Sequence, residues 1–411
     1  MKDRTHAMKR REFIKRGTAV AGGISLWPAA MIGRPFSRSE NSTAEDRFRI
    51  LTRTLGRTGI EIPVVSLGAP GDGGVMRAAL AAGIKFFDTA YRYAGGASET
   101  LIGENVKGRP RDSFIVATKV LGLRDNETGL IPQNVTTEEF KADFRNKVET
   151  SLKRLQVEYL DILFLHGVET AELLRLSPVR EVLQELKSEG KTRFIGASFH
   201  HKELELIPAV VREKIYDVIL TSYNFRQPHR QEVRQAIAAA GDAGLGILAM
   251  KTSSGVYWDR ERKYPINAKA SLKWVLQEKH VHSAVRAVDN FDQLAQTVSV
   301  LADLHLTPDE EDDLHLGKKL GLAGLYCSQC GRCRQDCRFH LDIPTAMRAY
   351  MYAYGYGRPR QAQETLGETG AEAVSCRACT SCRVSCAMGF NVPEKMRDIV
   401  RILDVPGEFI V

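Results

Sequence analysis

KFFDTAYRYAGGASETLIGENVKG, residues 85–108, contains the repeating unit from which the fold can be read. KFFDTA is a short apolar run with Asp88 near its end, suited to a buried strand. A Gly-rich turn follows. ASETLIGENVKG then has helical spacing and stops at Gly108, as helices often do. The alternation continues along the chain. Strand-like runs are VVSLG, KFFDTA, SFIVATKV, LDILFLHG, RFIGAS, DVILTSYN, LGILAMK and HSAVRAV. The helical patterns between them carry apolar residues at i, i+3, i+4. In REVLQELKSEG, for example, Val182, Leu183 and Leu186 share one face before Gly190. DQLAQTVSVLADL closes the series. Eight strand–helix units in about 250 residues predict a (β/α)8 TIM barrel. A doubly wound open sheet competes, but GAPGDGG after the first strand is not its G-x-G-x-x-G phosphate turn.

Around the barrel the chain divides into further parts. Residues 1–33 read as an address, 34–47 as a polar linker, 48–305 as the barrel, 306–325 as a second linker and 326–411 as a small, mainly helical module. RTLGRTGIEIPVVSLG predicts a short hairpin leading into the first core strand. In the module, IPTAMRAYMYAYGYG and VPEKMRDIVRIL read as helices.

The 411 residues are 43% hydrophobic, enough for one large core and a second small one. Part of the +8 net charge sits in MKDRTHAMKRREFIKR at the N-terminus. No basic stripe interleaved with aromatics is present, so nucleic acid is not an expected partner. KRREFIK, residues 9–15, followed by the uncharged GTAVAGGISLWPAAMIG, resembles a bacterial twin-arginine export signal. A disordered basic tail is the competing reading. The resemblance implies export to the periplasm or the outer face of the cytoplasmic membrane, with a membrane tether if the signal stays uncleaved. That route carries folded proteins, which suits cofactors inserted before export.

All 8 cysteines follow residue 326. CSQCGRCRQDC, Cys327 to Cys337, and CRACTSCRVSC, Cys376 to Cys386, share the spacing C-x-x-C-x-x-C-x-x-x-C. Two-cluster ferredoxins use this spacing. Disulfides and zinc compete, but zinc usually takes two separated pairs rather than four cysteines in one run. The repeat predicts two 4Fe–4S clusters with crossed fourth ligands. Cys327, Cys330, Cys333 and Cys386 hold one, and Cys376, Cys379, Cys382 and Cys337 the other. Ferredoxin runs normally place Pro after the fourth cysteine. Here Arg338 and Ala387 stand there, with Pro344 and Pro393 further on.

In a TIM barrel, polar residues at the C-terminal ends of strands are catalytic candidates. Asp88, Lys119 and His166 lie there, with Tyr93 in the loop after Asp88. With RTLGRTGIEIPVVSLG, FFDTAYRYAGGASETLIG, IVATK, YLDILFLHG and FIGAS in this order, residues 50–305 resemble the aldo/keto reductases. FIGASFHH, LAMK and the cysteine module are similar to the branch of that family fused to a ferredoxin-like domain. The resemblance implies that Tyr93 exchanges a proton with the reacting oxygen. Lys119 lowers the Tyr93 pKa, Asp88 holds Lys119 charged, and His166 orients a small polar carbonyl or alcohol, sugar-like in character. It also implies NAD(P), with Ser198 at the carboxamide and Lys251, Thr252, Ser253, Ser254 and Gly255 near the pyrophosphate. Several positions depart from the family pattern: Phe199, Leu220, Met250, Ala287 and Thr297, with Asp289 set to repel a 2′-phosphate. The expected activity is carbonyl–alcohol interconversion, with the clusters linking the barrel to a redox partner. The alternative is a non-catalytic electron-transfer or binding protein on a retained barrel.

Overall fold

The computed structural model describes residues 50–125, 128–367 and 375–410. The export segment and first linker expected at 1–33 and 34–47 lie outside the described residues. Among the described residues, no helix is long and apolar enough to cross a membrane.

A two-stranded hairpin comes first: β1, Thr52–Thr54, runs antiparallel to β2, Glu61–Pro63. The eight strands of a closed parallel barrel follow. They are β3 Val65–Gly68, β4 Phe86–Asp88, β5 Ile115–Val120, β6 Leu160–Leu165, β7 Thr192–Phe199, β8 Val218–Ser222, β9 Gly246–Met250 and β10 Ser283–Arg286. Each pairs with its sequence neighbour, and β10 closes the ring on β3. Every strand expected from the sequence is present. The helix Thr137–Leu155 shows how the local chemistry sets a boundary. Thr136 and Glu139 form a reciprocal capping box, and Phe140, Phe144, Val148 and Leu152 face the barrel.

Two apolar cores result. One fills the layer between strands and helices. The other fills the barrel itself, where Phe86, Ile115, Ile162, Phe164 and Leu248 meet. Leu55, Ile60 and Ile62 of the hairpin join this inner core and plug the end of the barrel opposite the strand C-termini. Arg57 N–H anchors the hairpin by donating to the Gly244 carbonyl at 2.7 Å.

One expected linker is not a linker. Residues 308–319 form the helices Pro308–Leu314 and Leu316–Lys319, the first opened by a Thr307–Glu310 capping box. Glu310 pairs with the buried Lys273 at 3.0 Å, and Gly317 lies flat on the Trp258 ring. The T-P-D-E capping signal was present, but its packing partners on the barrel were not visible in sequence. The short helix Ala171–Arg175 and the helix Pro359–Gly367 are also additions.

The module has its own core, built from Leu341, Met347, Leu366, Phe390 and Met396 among others. Its helix Ile343–Tyr350 continues into a π-helical turn, Met351–Gly355.

Gly56 has a φ of +49°, and a Cβ there would lie 2.4 Å from the Gly246 nitrogen. Gly56→Ala should therefore lower unfolding stability by about 1–3 kcal/mol. A lower urea midpoint at unchanged m-value is the expected reading.

Candidate active site and cysteine centre

Strand periodicity builds the site. Alternate residues of a barrel strand point inward. Phe86, Ala117 and Phe164 lie in the inner core. The next inward positions toward the strand C-termini are Asp88, Lys119 and His166. The polar residues thus form the top layer of an otherwise apolar barrel interior. Lys119 Nζ donates to Asp88 Oδ2 at 2.6 Å and to the Thr89 carbonyl at 2.7 Å. It sits 5.0 Å from the Tyr93 ring centroid, and that ring meets His166 edge-on at 5.8 Å. The structure brings all four expected residues together.

Tyr93 reaches the site through a sharp loop. Ala94, Gly95 and Gly96 all have positive φ, which the two glycines tolerate readily. Arg154 braces the loop by donating to the Tyr91 carbonyl at 3.0 Å and pairing with the buried Glu99 at 3.2 Å.

Burial dominates the electrostatics. It lowers the Lys119 pKa, but Asp88 and Tyr93 together raise it above the ordinary value, so Lys119 is held charged. Burial pushes the Asp88 carboxyl up, with Lys119 opposing. The Tyr93 phenol is also raised: burial outweighs Lys119, so the lowering expected from the sequence is not the net result. Burial, followed by Lys119, Arg92, Arg124 and Arg348, holds the His166 pKa well below its usual value. His166 is accordingly a neutral imidazole, and its Nδ1 is buried without a hydrogen-bond partner.

The expected nucleotide contacts are mixed. The Ser198 hydroxyl is engaged within the barrel, accepting from Gly167 N–H at 3.2 Å and donating to the Leu165 carbonyl at 3.3 Å. Lys251 and Ser254 have positive φ, and Gly255 a φ of +113°, so the 251–255 loop is tightly bent. Ser254 Oγ and, nearby, Asn224 Nδ2 are buried and unpartnered. With Lys251, Thr252 and Ser253 they form a donor set of the right chemistry for phosphate oxygens. Module residue Tyr326 lies beside this loop, and a Cβ on Gly255 would be 3.7 Å from the Tyr326 Cβ. Asp289, expected to repel phosphate, is instead ion-paired with Arg358 of the module.

None of the eight cysteine thiols of the module is joined in a disulfide. Those of Cys330, Cys333 and Cys386 act electrostatically on Cys327, and those of Cys337, Cys379 and Cys382 on Cys376. The crossed sets expected from the repeat are therefore the spatial sets. Ser385 in the second run donates its hydroxyl to Asp336 in the first at 3.2 Å, tying the crossing. Cys337, Cys376, Cys379 and Cys382 line a cavity of about 370 Å³. Gln329 N–H donates to Cys327 Sγ and Met388 N–H to Cys386 Sγ, both at 3.3 Å. Clustered thiols in each set, with sulfur-directed N–H groups at Cys327 and Cys386 of the first, fit an iron–sulfur cubane in each.

Comparison with known proteins agrees with this geometry. Residues 74–263 match the aldo/keto reductase family, and residues 326–391 match a 4Fe-4S dicluster domain. The L-galactose dehydrogenase of Arabidopsis thaliana is 37% identical over 306 residues, spanning 64% of this chain and 92% of the relative. The chain belongs to the aldo/keto reductase family. The D-threo-aldose 1-dehydrogenase of a Pseudomonas species is 27% identical, over 50% of this chain and 70% of its own. An aldo-keto reductase from Bacillus halodurans in holo form shares the fold, with a TM-score of 0.52 at 22% identity over 66% of this chain and 96% of its own. The protein is thus an aldo/keto reductase and an oxidoreductase, with a C-terminal iron–sulfur dicluster domain.

Sequence reasoning missed the residues this domain places near the aldo/keto reductase tetrad, Arg348 and Tyr352. The signal available was the aromatic run AYMYAYGYG that follows Arg348.

The crossing of the cysteine sets makes a specific prediction for iron content. Cys337→Ala should leave about four of about eight irons. Adding Cys376→Ala should remove no more, whereas adding Cys330→Ala should remove the remainder. Iron and sulfide assay of anaerobically purified variants checks this.

Proposed function

We propose that the protein is an exported dehydrogenase or reductase that interconverts an alcohol and a carbonyl on a small, sugar-like substrate, with its clusters passing electrons to a separate redox partner. The observation that carries this reading is the buried Lys119–Asp88 pair at 2.6 Å, set against Tyr93 and His166 at the C-terminal mouth of the barrel. The named activities of the L-galactose and D-threo-aldose dehydrogenases support the substrate class. The twin arginines at Arg10–Arg11 support export.

Each residue has a defined task. The substrate oxygen lies between Tyr93 and His166. Neutral His166 donates an N–H to that oxygen and orients the carbon that bears it. Tyr93 accepts the hydroxyl proton during oxidation and returns it during reduction. Lys119, kept charged by Asp88, stabilises the phenolate form that oxidation requires. Lys251, Thr252, Ser253, Ser254 and Gly255 would hold NAD(P), which would serve as hydride acceptor in oxidation and donor in reduction. The crossed cysteine sets would hold clusters that carry one electron at a time, so electrons leaving as hydride would reach them only through a flavin-type carrier, which the redox partner would have to supply. Apolar walls at Phe86, Phe164 and Met250 exclude water beneath the site.

Tyr93→Phe should lower kcat by about 10²–10⁴-fold while leaving iron content unchanged. Undiminished turnover in that variant would remove the tetrad from the mechanism. The raised Tyr93 pKa sets the pH dependence. Because the phenol stays protonated past its ordinary value of about 10, kcat/KM for oxidation should climb about tenfold per pH unit through neutrality. Reduction, which needs the protonated phenol, should stay flat over the same range. Steady-state rates in both directions read this. Quantifying NAD(H) and NADP(H) released on denaturation identifies the nucleotide.

A further inference from the structure

The loops after β8 and β9 keep polar groups out of solvent. Asn224, Thr252 and Ser254 are at most 3% exposed. Asn224 is fixed by its other atoms: its Oδ1 accepts from Arg226 N–H at 3.1 Å, and its backbone N–H donates to Gln227 Oε1 at 3.1 Å. Its Nδ2 and the Ser254 Oγ are left buried without a hydrogen-bond partner. Loops at the mouth of a barrel ordinarily stand in water. Polar atoms buried there without a partner call for a polar ligand enclosed with them.

The cover over these loops is held by one side chain. Arg226 Nη1 donates to the Ser254 carbonyl at 3.4 Å, and Nη2 donates to the Ala323 carbonyl in the segment that enters the module. The same guanidinium covers the Trp258 ring at 4.8 Å, and Gly317 packs on that ring as well. Gly324 has a φ of +73°, and a Cβ there would fall on the guanidinium, so the chain passes over Arg226 only as glycine. Two residues further on, Tyr326 is buried, with its Cβ 3.7 Å from where a Cβ on Gly255 would lie. Burial lowers the Arg226 pKa to about 10, which leaves it charged near neutrality. Two contacts shut the flanks. Arg262 Nε donates to the Tyr354 carbonyl at 3.1 Å, and Arg358 of the module pairs with Asp289 after β10.

We infer that Arg226 is a latch: it holds residues 323–326 over the 251–255 loop, so that NAD(P) bound there is enclosed and stays with the chain instead of exchanging between turnovers. In this role Arg226 is a positioning residue, acting through the segment it holds. The inference rests on the nucleotide reading above. An enclosed nucleotide travels with an exported chain and need not be drawn from a pool.

The test follows nucleotide exchange rather than turnover. The anaerobically purified, cluster-loaded full chain is gel-filtered, and the nucleotide retained per chain is measured. Excess isotope-labelled nucleotide of the same kind is then added, and its uptake is read by mass spectrometry after denaturation. The wild-type chain should retain near-stoichiometric nucleotide and exchange it over hours. Arg226→Met should speed exchange about tenfold or more, the factor carried by a buried hydrogen bond from a charged donor. Gly324→Ala, which displaces the same guanidinium, should do likewise. The double variant should be no faster than the quicker single one, because both remove one contact. Arg226→Lys should restore part of the slow exchange, and iron content should be unchanged throughout. Exchange within the mixing time in the wild type, wild-type rates in the variants, or additive effects of the two substitutions would each overturn the latch. A chain purified empty that takes up added nucleotide freely would overturn it too. The nucleotide reading falls on a different result, no nucleotide retained and none bound when added, and the latch falls with it.

Discussion

A buried ion pair governs this molecule. Lys119 and Asp88 lie on adjacent parallel strands, 2% and 4% exposed, at the boundary between an apolar barrel and its polar mouth. Removing two charges from water is costly, and a close contact offsets that cost only when the remaining hydrogen bonds are also made. The Thr89 carbonyl receives a second Lys119 proton, and Tyr93 is the next polar group in reach. The pair exists because β4 and β5 are in register, with Asp88 opposite Ala117 and Lys119 one inward step beyond. A one-residue slip would turn Lys119 into the layer beneath the helices. Barrel closure and the chemistry of the mouth therefore depend on the same register.

The module changes the setting of that pair. A bare barrel opens its strand C-termini to solvent, where a phenol and an ammonium are readily hydrated. Here burial, and after it Asp88 and Tyr352 of the module's aromatic turn acting electrostatically, raises the Tyr93 pKa against Lys119. The module also meets the 251–255 loop through Tyr326 and Asp289 through Arg358. The module thus lies against both the 251–255 loop and the loop that carries Asp289.

Much of this was legible beforehand because it rests on short-range patterns. Strand and helix periods give the eight units, and the spacing of Cys327, Cys330, Cys333 and Cys337 speaks for iron–sulfur. Asp88, Lys119 and His166 could be located because each follows an inward-facing apolar residue at the end of a strand. The 306–325 segment was less legible. Its capping box was written in T-P-D-E, but only the packing of Glu310 on Lys273 and of Gly317 on Trp258 makes it part of the barrel. The Tyr93 shift was misjudged for a similar reason. A neighbouring lysine can be read from a motif, whereas the depth of burial that outweighs it cannot.

The sequence by itself determined the barrel, the four residues gathered at its mouth and the two cysteine runs, because local periodicity and ligand spacing carry that information. Only the tertiary structure decided that the second domain lies over the first. Arg348 and Tyr352 are more than 150 residues from the tetrad in the chain. Their place near His166 and Tyr93 follows from the docking of two independently packed cores. That docking depends on the contacts of Arg260 and Arg262 with the module, and of the module's Arg358 with Asp289 of the barrel. Such contacts have no period, because they join surfaces rather than elements, and surfaces exist only once the chain has folded.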